Sequence, residues 1–252
     1  MSMIHLSCSE NLEDRGVGLS PPFSHITNVE SDMEEGESVP PTPRSCDCRA
    51  HLKRNSSLIW TAVFVRRLGE CLLLESSTIA HAWCLFDLFL KQRKPNLSRL
   101  PLVGIGCLLL STKYKESEYP SLQSLAAVVP YTASQISAME ILVLETLDWR
   151  LEVQTAHDLA WNLMDQICLE YSLAREQLMK ELITVLDKTL QVECLFGRPP
   201  GSVATATVFY VLDKCRSNLP PSIFEWFETR SVATLRLDLD ELDDCLALIQ
   251  SV

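Results

Sequence analysis

An all-α fold is predicted for this chain by three observations. From about Ser56 onward apolar residues recur at helical spacing, no stretch alternates convincingly as a strand, and the apolar runs are separated by prolines or helix-capping residues. The breaks Glu75-Ser76-Ser77, Lys94-Pro95-Asn96, Glu118-Tyr119-Pro120 and Pro130-Tyr131-Thr132 divide the first part into five helices, roughly 56 to 73, 77 to 92, 98 to 116, 121 to 129 and 133 to 147. The third carries Leu102 to Leu110, apolar on every face, which places it at the centre of a bundle, with Gly104 and Gly106 letting neighbouring helices approach closely. The fifth, Ile136 through Leu147, is nearly as apolar but carries Glu140 and Glu145, so one edge should stay wet.

A second set of helices is expected near 156 to 169, 173 to 193, 201 to 216, 220 to 229 and 239 to 250. Its joints are sharper, because Gly197-Arg198-Pro199-Pro200-Gly201 and Leu219-Pro220-Pro221 cannot continue a helix. The predicted architecture is two successive five-helix domains, 53–151 and 152–252, without a strict sequence repeat between them. Ahead of them, residues 1–52 read as a disordered acidic arm: up to His51 the chain has nine acids against three bases, five prolines and eight serines, with no apolar period.

With 252 residues, 47% hydrophobic and 22% charged, collagen, coiled-coil and knottin classes are excluded. A net charge of -11 argues against nucleic acid as the main partner. The ten cysteines are scattered, and Cys71, Cys84, Cys107, Cys168 and Cys194 lie in apolar runs, as expected of small hydrophobes in a reducing compartment. No basic-then-apolar N-terminal signal is present, and the run Leu100 to Leu110 is shorter than the roughly 18 residues of a spanning helix, so a soluble protein without membrane contact is expected.

Catalytic constellations are not found: there is no glycine-rich phosphate loop, no His-x-x-x-His or Glu-x-x-His pair and no serine elbow. His157 has Asp158 beside it on another helical face and no second histidine at i+4, which disfavours a base or a metal ligand. Cys46-Asp47-Cys48 with His51 supplies too few ligands for structural zinc. Neither an enzyme nor a cofactor or metal is expected.

The order of unlike features over Leu100 to Leu151 carries a more specific signal. An apolar helix ends in Ser111-Thr112-Lys113-Tyr114-Lys115-Glu116, Pro120-Ser121-Leu122 opens a short helix, and Thr132 precedes a helix containing Met139-Glu140-Ile141-Leu142-Val143-Leu144. This order resembles the cyclin box. The second unit narrows the likeness: Thr155-Ala156-His157-Asp158-Leu159 and Pro199-Pro200-Gly201-Ser202-Val203-Ala204 are similar to the segments that open helices in the second box of D-type (G1) cyclins. In the arm, Leu6-Ser7-Cys8-Ser9-Glu10 is a Leu-x-Cys-x-Glu pentapeptide of the kind those cyclins use to bind retinoblastoma-type pocket proteins.

The resemblance implies a regulatory subunit that binds and activates a cyclin-dependent kinase at the G1/S stage, in nucleus and cytoplasm. Lys113 and Glu140 match the kinase-gripping positions, while Leu6, Cys8 and Glu10 would recruit a pocket protein. Cyclin-dependent kinase inhibitors are further implied partners. Without a kinase, Lys113 and Glu140 would form only a weak surface ion pair. Ser20-Pro21 and Thr42-Pro43 are minimal proline-directed phosphorylation sites, with plain turns as the alternative. A transcription-type cyclin and a kinase-independent cyclin-fold interaction module are the competing readings.

The first helix departs from the pattern. Ser57, Leu58 and Phe64 stand where the family has methionine, arginine and tryptophan of a peptide-docking patch, and Pro101 stands where many members have glutamine; Trp60 and Phe64 remain as a candidate substrate-docking groove. The missing arginine ordinarily pairs with a buried aspartate, here Asp87. Either Arg54, Arg66 or Arg67 must replace it, or Asp87 must be more exposed.

Overall fold

A computed structural model describes residues 48–171, 175–235 and 238–251, with side chains from Ser56 on except at 218, 228 and 230–235. Leu6, Cys8, Glu10, Ser20, Thr42, the proposed arm up to residue 47 and the side chain of Arg54 lie outside the described residues, whereas residues 48–52, assigned to the arm, are helical. Within them the chain is all-α. Five helices, α1 (Cys48–Cys71), α2 (Ser76–Gln92), α3 (Leu100–Lys115), α4 (Leu122–Val128) and α5 (Ala133–Thr146), are followed by five more, α6 (Ala156–Glu170), α7 (Arg175–Thr189), α8 (Pro200–Lys214), α9 (Ser222–Leu235) and α10 (Leu239–Gln250).

Several boundaries fall where capping residues place them. Ser121 accepts from the Ser124 N–H at the start of α4, and reciprocal capping boxes open α5 (Thr132 with Gln135) and α6 (Thr155 with Asp158). Three ends differ from expectation. α1 begins at Cys48 instead of near residue 56, because Arg49, Ala50, Leu52, Lys53 and Arg54 are good helix formers that extend a helix already nucleated by its packed half. α7 stops at Thr189, where Gln191 and Val192 donate to carbonyls three residues back and tighten the chain out of the α form. α9 continues to Leu235, past the expected end at 229.

α3 lies in the first core cluster, its residues from Leu100 through Thr112 all buried. Its glycines set the spacing: a Cβ on Gly104 would stand 2.6 Å from Val65 Cγ2 of α1, and one on Gly106 would stand 3.1 Å from Met139 Cγ of α5. A second cluster is built from α6 to α10, with Met164, Ile167, Leu182, Ala204, Val208 and Leu212 at 0% exposure, and the two meet through Ile79, Ala80, Trp83 and Leu190. Phe196, on the segment before α8, reaches back to Trp83 and Phe86, its ring centroid 5.5 Å and 5.9 Å from theirs.

Two residues sit differently from the sequence reading. Asp87 pairs with Lys91 one turn along its own helix at 2.6 Å, its side chain 33% exposed, while Arg66 pairs with Glu70; among the described side chains, the partial exposure of Asp87 and its pairing with Lys91 take the place of the missing arginine. Cys194 is exposed, because the 3₁₀ turn Glu193–Leu195 turns Leu195 inward and the thiol outward. Among the described residues no single helix is long and apolar enough to cross a membrane.

Candidate functional site

The site builds up from the last turn of α3. Burial of the whole helix leaves its charged end as the place where the chain can present polar groups, and lysines there suit the negative end of the helix dipole. Gly106 brings α5 against α3, and the capping box at Thr132 fixes where α5 starts, so Glu140 arrives beside Lys113. The Lys113 ammonium donates to Glu140 Oε1 at 2.5 Å, with side chains 41% and 12% exposed. An ion pair this exposed contributes about 0.2 to 1 kcal/mol, small enough to be exchanged for partner groups.

The next two residues of the same turn hold other helices. The Tyr114 ring stacks on His81 of α2 at 5.2 Å and 9°. Lys115 donates to Asp158 of α6 at 3.1 Å. Burial pushes the Asp158 carboxyl up, but bonds from the Thr155 hydroxyl and N–H and from Lys115 outweigh it, so its pKa lies below the ordinary value. Three consecutive residues therefore connect α3 to α5, α2 and α6.

His81 is fully buried. Leu151 O, 2.9 Å from Nε2, can only accept, so Nε2 carries the proton and Nδ1 accepts from the Ser111 hydroxyl at 2.8 Å. Burial lowers the His81 pKa, against the opposing pull of the Leu151 carbonyl. This neutral histidine ties α2 and α3 to the linker ahead of α6.

Sequence reasoning singled out Lys113 and Glu140, and the fold brings them into contact. It likewise brings Trp60 and Phe64 together, stacked at 5.4 Å and 3° on α1, both half-buried. It missed the Tyr114–His81 stack and the Lys115–Asp158 bond, for which charge and spacing along one helix give no signal. It gave Asp148 and Trp149 no role of their own. Both residues adopt left-handed backbone, φ 50 and 59, which costs a non-glycine residue roughly 1 to 2 kcal/mol, and Trp149 is 69% exposed. Among the described residues no cluster of histidine, cysteine or acid groups is arranged to hold a metal ion.

Residues 30–152 match the family described as "Cyclin, N-terminal domain". The G2/mitotic-specific cyclin-A of Hydra viridissima is 26% identical over 206 residues, covering 79% of this chain and 48% of that protein. Cyclin-D3-1 of Arabidopsis thaliana is 25% identical over 163 residues, covering 64% of this chain and 42% of that protein. The chain thus spans less than half the length of these relatives, which include B and J types as well. Among solved structures, a viral cyclin from herpesvirus saimiri superposes with a TM-score of 0.58 at 19% identity, covering 79% of this chain and 82% of that one. A chain of the CAK complex from Chaetomium thermophilum, solved with ATP-γ-S, superposes with a TM-score of 0.55 at 15% identity, over 79% and 64% of the two chains. These structural likenesses show the fold.

Proposed function

From the match of residues 30–152 to the cyclin N-terminal domain family, we propose that the chain is a non-enzymatic regulatory subunit that binds and activates a cyclin-dependent protein kinase. The observation that carries this reading is the meeting of Lys113 and Glu140 across α3 and α5, at the two positions where the family resemblance puts the kinase grip. A cation and an anion side by side on an apolar helix pair offer a partner both orientation and affinity. Activation works by differential binding: the chain stabilises the kinase conformation with its catalytic groups in place, and phosphoryl transfer belongs to the kinase. α1–α5 and α6–α10 are read as paired five-helix boxes, the first carrying the kinase contact.

The finer reading is a D-type, G1/S role in nucleus and cytoplasm. In it Leu6, Cys8 and Glu10 recruit a retinoblastoma-type pocket protein as an extended peptide, the Trp60–Phe64 stack takes substrate or inhibitor peptides, and Ser20 and Thr42 receive phosphate. The order of motifs in the sequence supports it. A second reading, a transcription-type cyclin or a kinase-independent interaction module, draws on Asp87, whose pairing with Lys91 marks the first helix as divergent.

The test is affinity purification of the native chain and of a Lys113→Glu, Glu140→Lys double variant, with bound proteins identified by mass spectrometry. Because the two charges already pair, exchanging both keeps the internal ion pair while reversing the order shown to a partner; circular dichroism should show an unchanged fold. Kinase recovered with the native chain and lost from the folded variant is the expected result. Equal recovery with both would remove Lys113 and Glu140 from the interface. A transcription factor or pocket protein captured without any kinase would replace activation with the second reading.

A further inference from the structure

Between the start of α3 and the middle of α5 runs a groove of about 250 Å³. Arg99 and Leu102 line one side, and Met139, Ile141, Leu142 and Glu145 the other. Ile141 is 50% exposed at this groove, and an apolar side chain so placed gains by being covered. The connection that leads into the groove, residues 91–99, carries the cations Lys91, Arg93, Lys94 and Arg99 and no acid, a local exception in a chain of net charge -11. Lys91 is neutralised by Asp87 at 2.6 Å. Arg93 and Lys94 are exposed, with no ion-pair partner among the described residues.

The same chain carries a segment of matching chemistry. Residues 1–47 hold nine acids and two bases, and five of those acids fall in residues 30–37, Glu30-Ser31-Asp32-Met33-Glu34-Glu35-Gly36-Glu37, with no base and Met33 as the one apolar side chain. The reach suffices. Gly104 of α3 packs on Thr61 of α1, about 20 Å along that helix from Cys48, and Leu102 and Arg99 follow within two turns of Gly104. Glu37 precedes Cys48 by eleven residues, which span up to about 36 Å when extended, so the segment arrives without unwinding α1. A tethered segment meets such a site at about millimolar effective concentration, where modest contacts seat it.

We propose that residues 30–37 of this chain dock in the α3–α5 groove, with Met33 against Ile141 and Leu142 and the acids toward Arg93, Lys94 and Arg99. Glu145 at the other end of the groove repels the acids and so sets the direction in which the segment lies. The docked segment covers Ile141 and occupies the groove, so an acidic peptide of another protein has to displace it first. Because the cations are exposed, the contact weakens as salt rises. At 3.6 residues per turn Leu142 and Glu145 face away from Glu140, so the site is separate from the Lys113–Glu140 pair and the proposal does not depend on the kinase reading.

The experiment is methyl NMR on the full chain, labelled at methionine and isoleucine. A nuclear Overhauser contact between the Met33 and Ile141 methyl groups is expected, weakened in about 0.5 M NaCl. A variant with Glu30→Gln, Asp32→Asn, Glu34→Gln, Glu35→Gln and Glu37→Gln alters no residue of the helices and should lose the contact. Arg93→Glu with Lys94→Glu, both at exposed positions, should lose it too. Carbodiimide, which joins a carboxylate to an amine with loss of water, should couple residues 30–37 to Lys94 about tenfold more often than to the exposed Lys180 and Lys188 of α7. No methyl contact, a contact that survives neutralising the five acids, or coupling spread evenly over the three lysines would overturn the proposal. So would a contact appearing in a mixture of chains labelled only at methionine with chains labelled only at isoleucine, which would put the segment on a second copy.

Discussion

His157 and His81 are both buried as neutral imidazoles, with pKa values held below the ordinary 6.5 by burial. The unfolded chain binds protons on these rings below pH 6.5 and the folded chain does not, so the unfolded state gains as pH falls. The contribution of these rings is therefore full above pH 6.5 and falls between 6.5 and about 4, with a loss of roughly 3 kcal/mol over that window from His157 alone. Asp158 acts in a different window: its lowered pKa adds stability above the ordinary carboxylate value of 3.8, lost only as pH drops through the lower folded value. Urea unfolding at pH 7.5 and 4.5 checks the histidine part, and His157→Phe should flatten the profile. The sequence marks His157 as a residue of interest and correctly shows no second ligand near it. It carries no sign that both ring nitrogens would be unpaired among the described residues, because that depends on what α2 and α7 place around the ring.

Helix packing turns on two glycines that look alike in sequence and differ in the fold. Gly104→Ala would push a methyl to 2.6 Å from Val65 Cγ2 and 3.0 Å from Thr61 Cγ2, both on stiff β-branched side chains. A loss of about 1 to 3 kcal/mol in chemical denaturation is expected, beyond the roughly 1 kcal/mol alanine returns in helix propensity. Gly106→Ala meets first the flexible Met139 side chain at 3.1 Å, and its net effect on stability should be within about 1 kcal/mol of zero. Thr132→Ala removes the capping box of α5 and should cost about 1 kcal/mol and, on the proposed kinase grip, weaken partner binding through Glu140, a combination that stability and binding measurements together reveal. Caps of this kind are legible in sequence because they are local: Ser121, Thr132 and Thr155 each satisfy a donor within three residues. The start of α1 was not, because residues 48 to 55 carry helix formers without the apolar period that marks a packed helix.

At the scale of the whole molecule, the two clusters are joined by Ile79, Ala80 and Trp83 packed with Leu190, by the His81 bond to the Leu151 carbonyl, by the Lys115–Asp158 bond, and by Phe196 against Trp83 and Phe86. Phe196→Ala should weaken this junction more than either cluster, splitting a single cooperative unfolding transition into two; calorimetry distinguishes the outcomes, and one unsplit transition would place the coupling elsewhere. Helix number and order, the caps that start α4, α5 and α6, the central burial of α3 and the pairing partners Lys113 and Glu140 were readable from spacing and motif order. These are properties of short stretches, repeated every three or four residues or carried by a motif whose helices pack in a known order. The turn that makes Lys113, Tyr114 and Lys115 reach three different helices, the groove beside Ile141, the exposure of Asp87 and the left-handed backbone at Trp149 came from the tertiary structure. Each depends on groups far apart in the chain, whose meeting is decided by how whole helices pack.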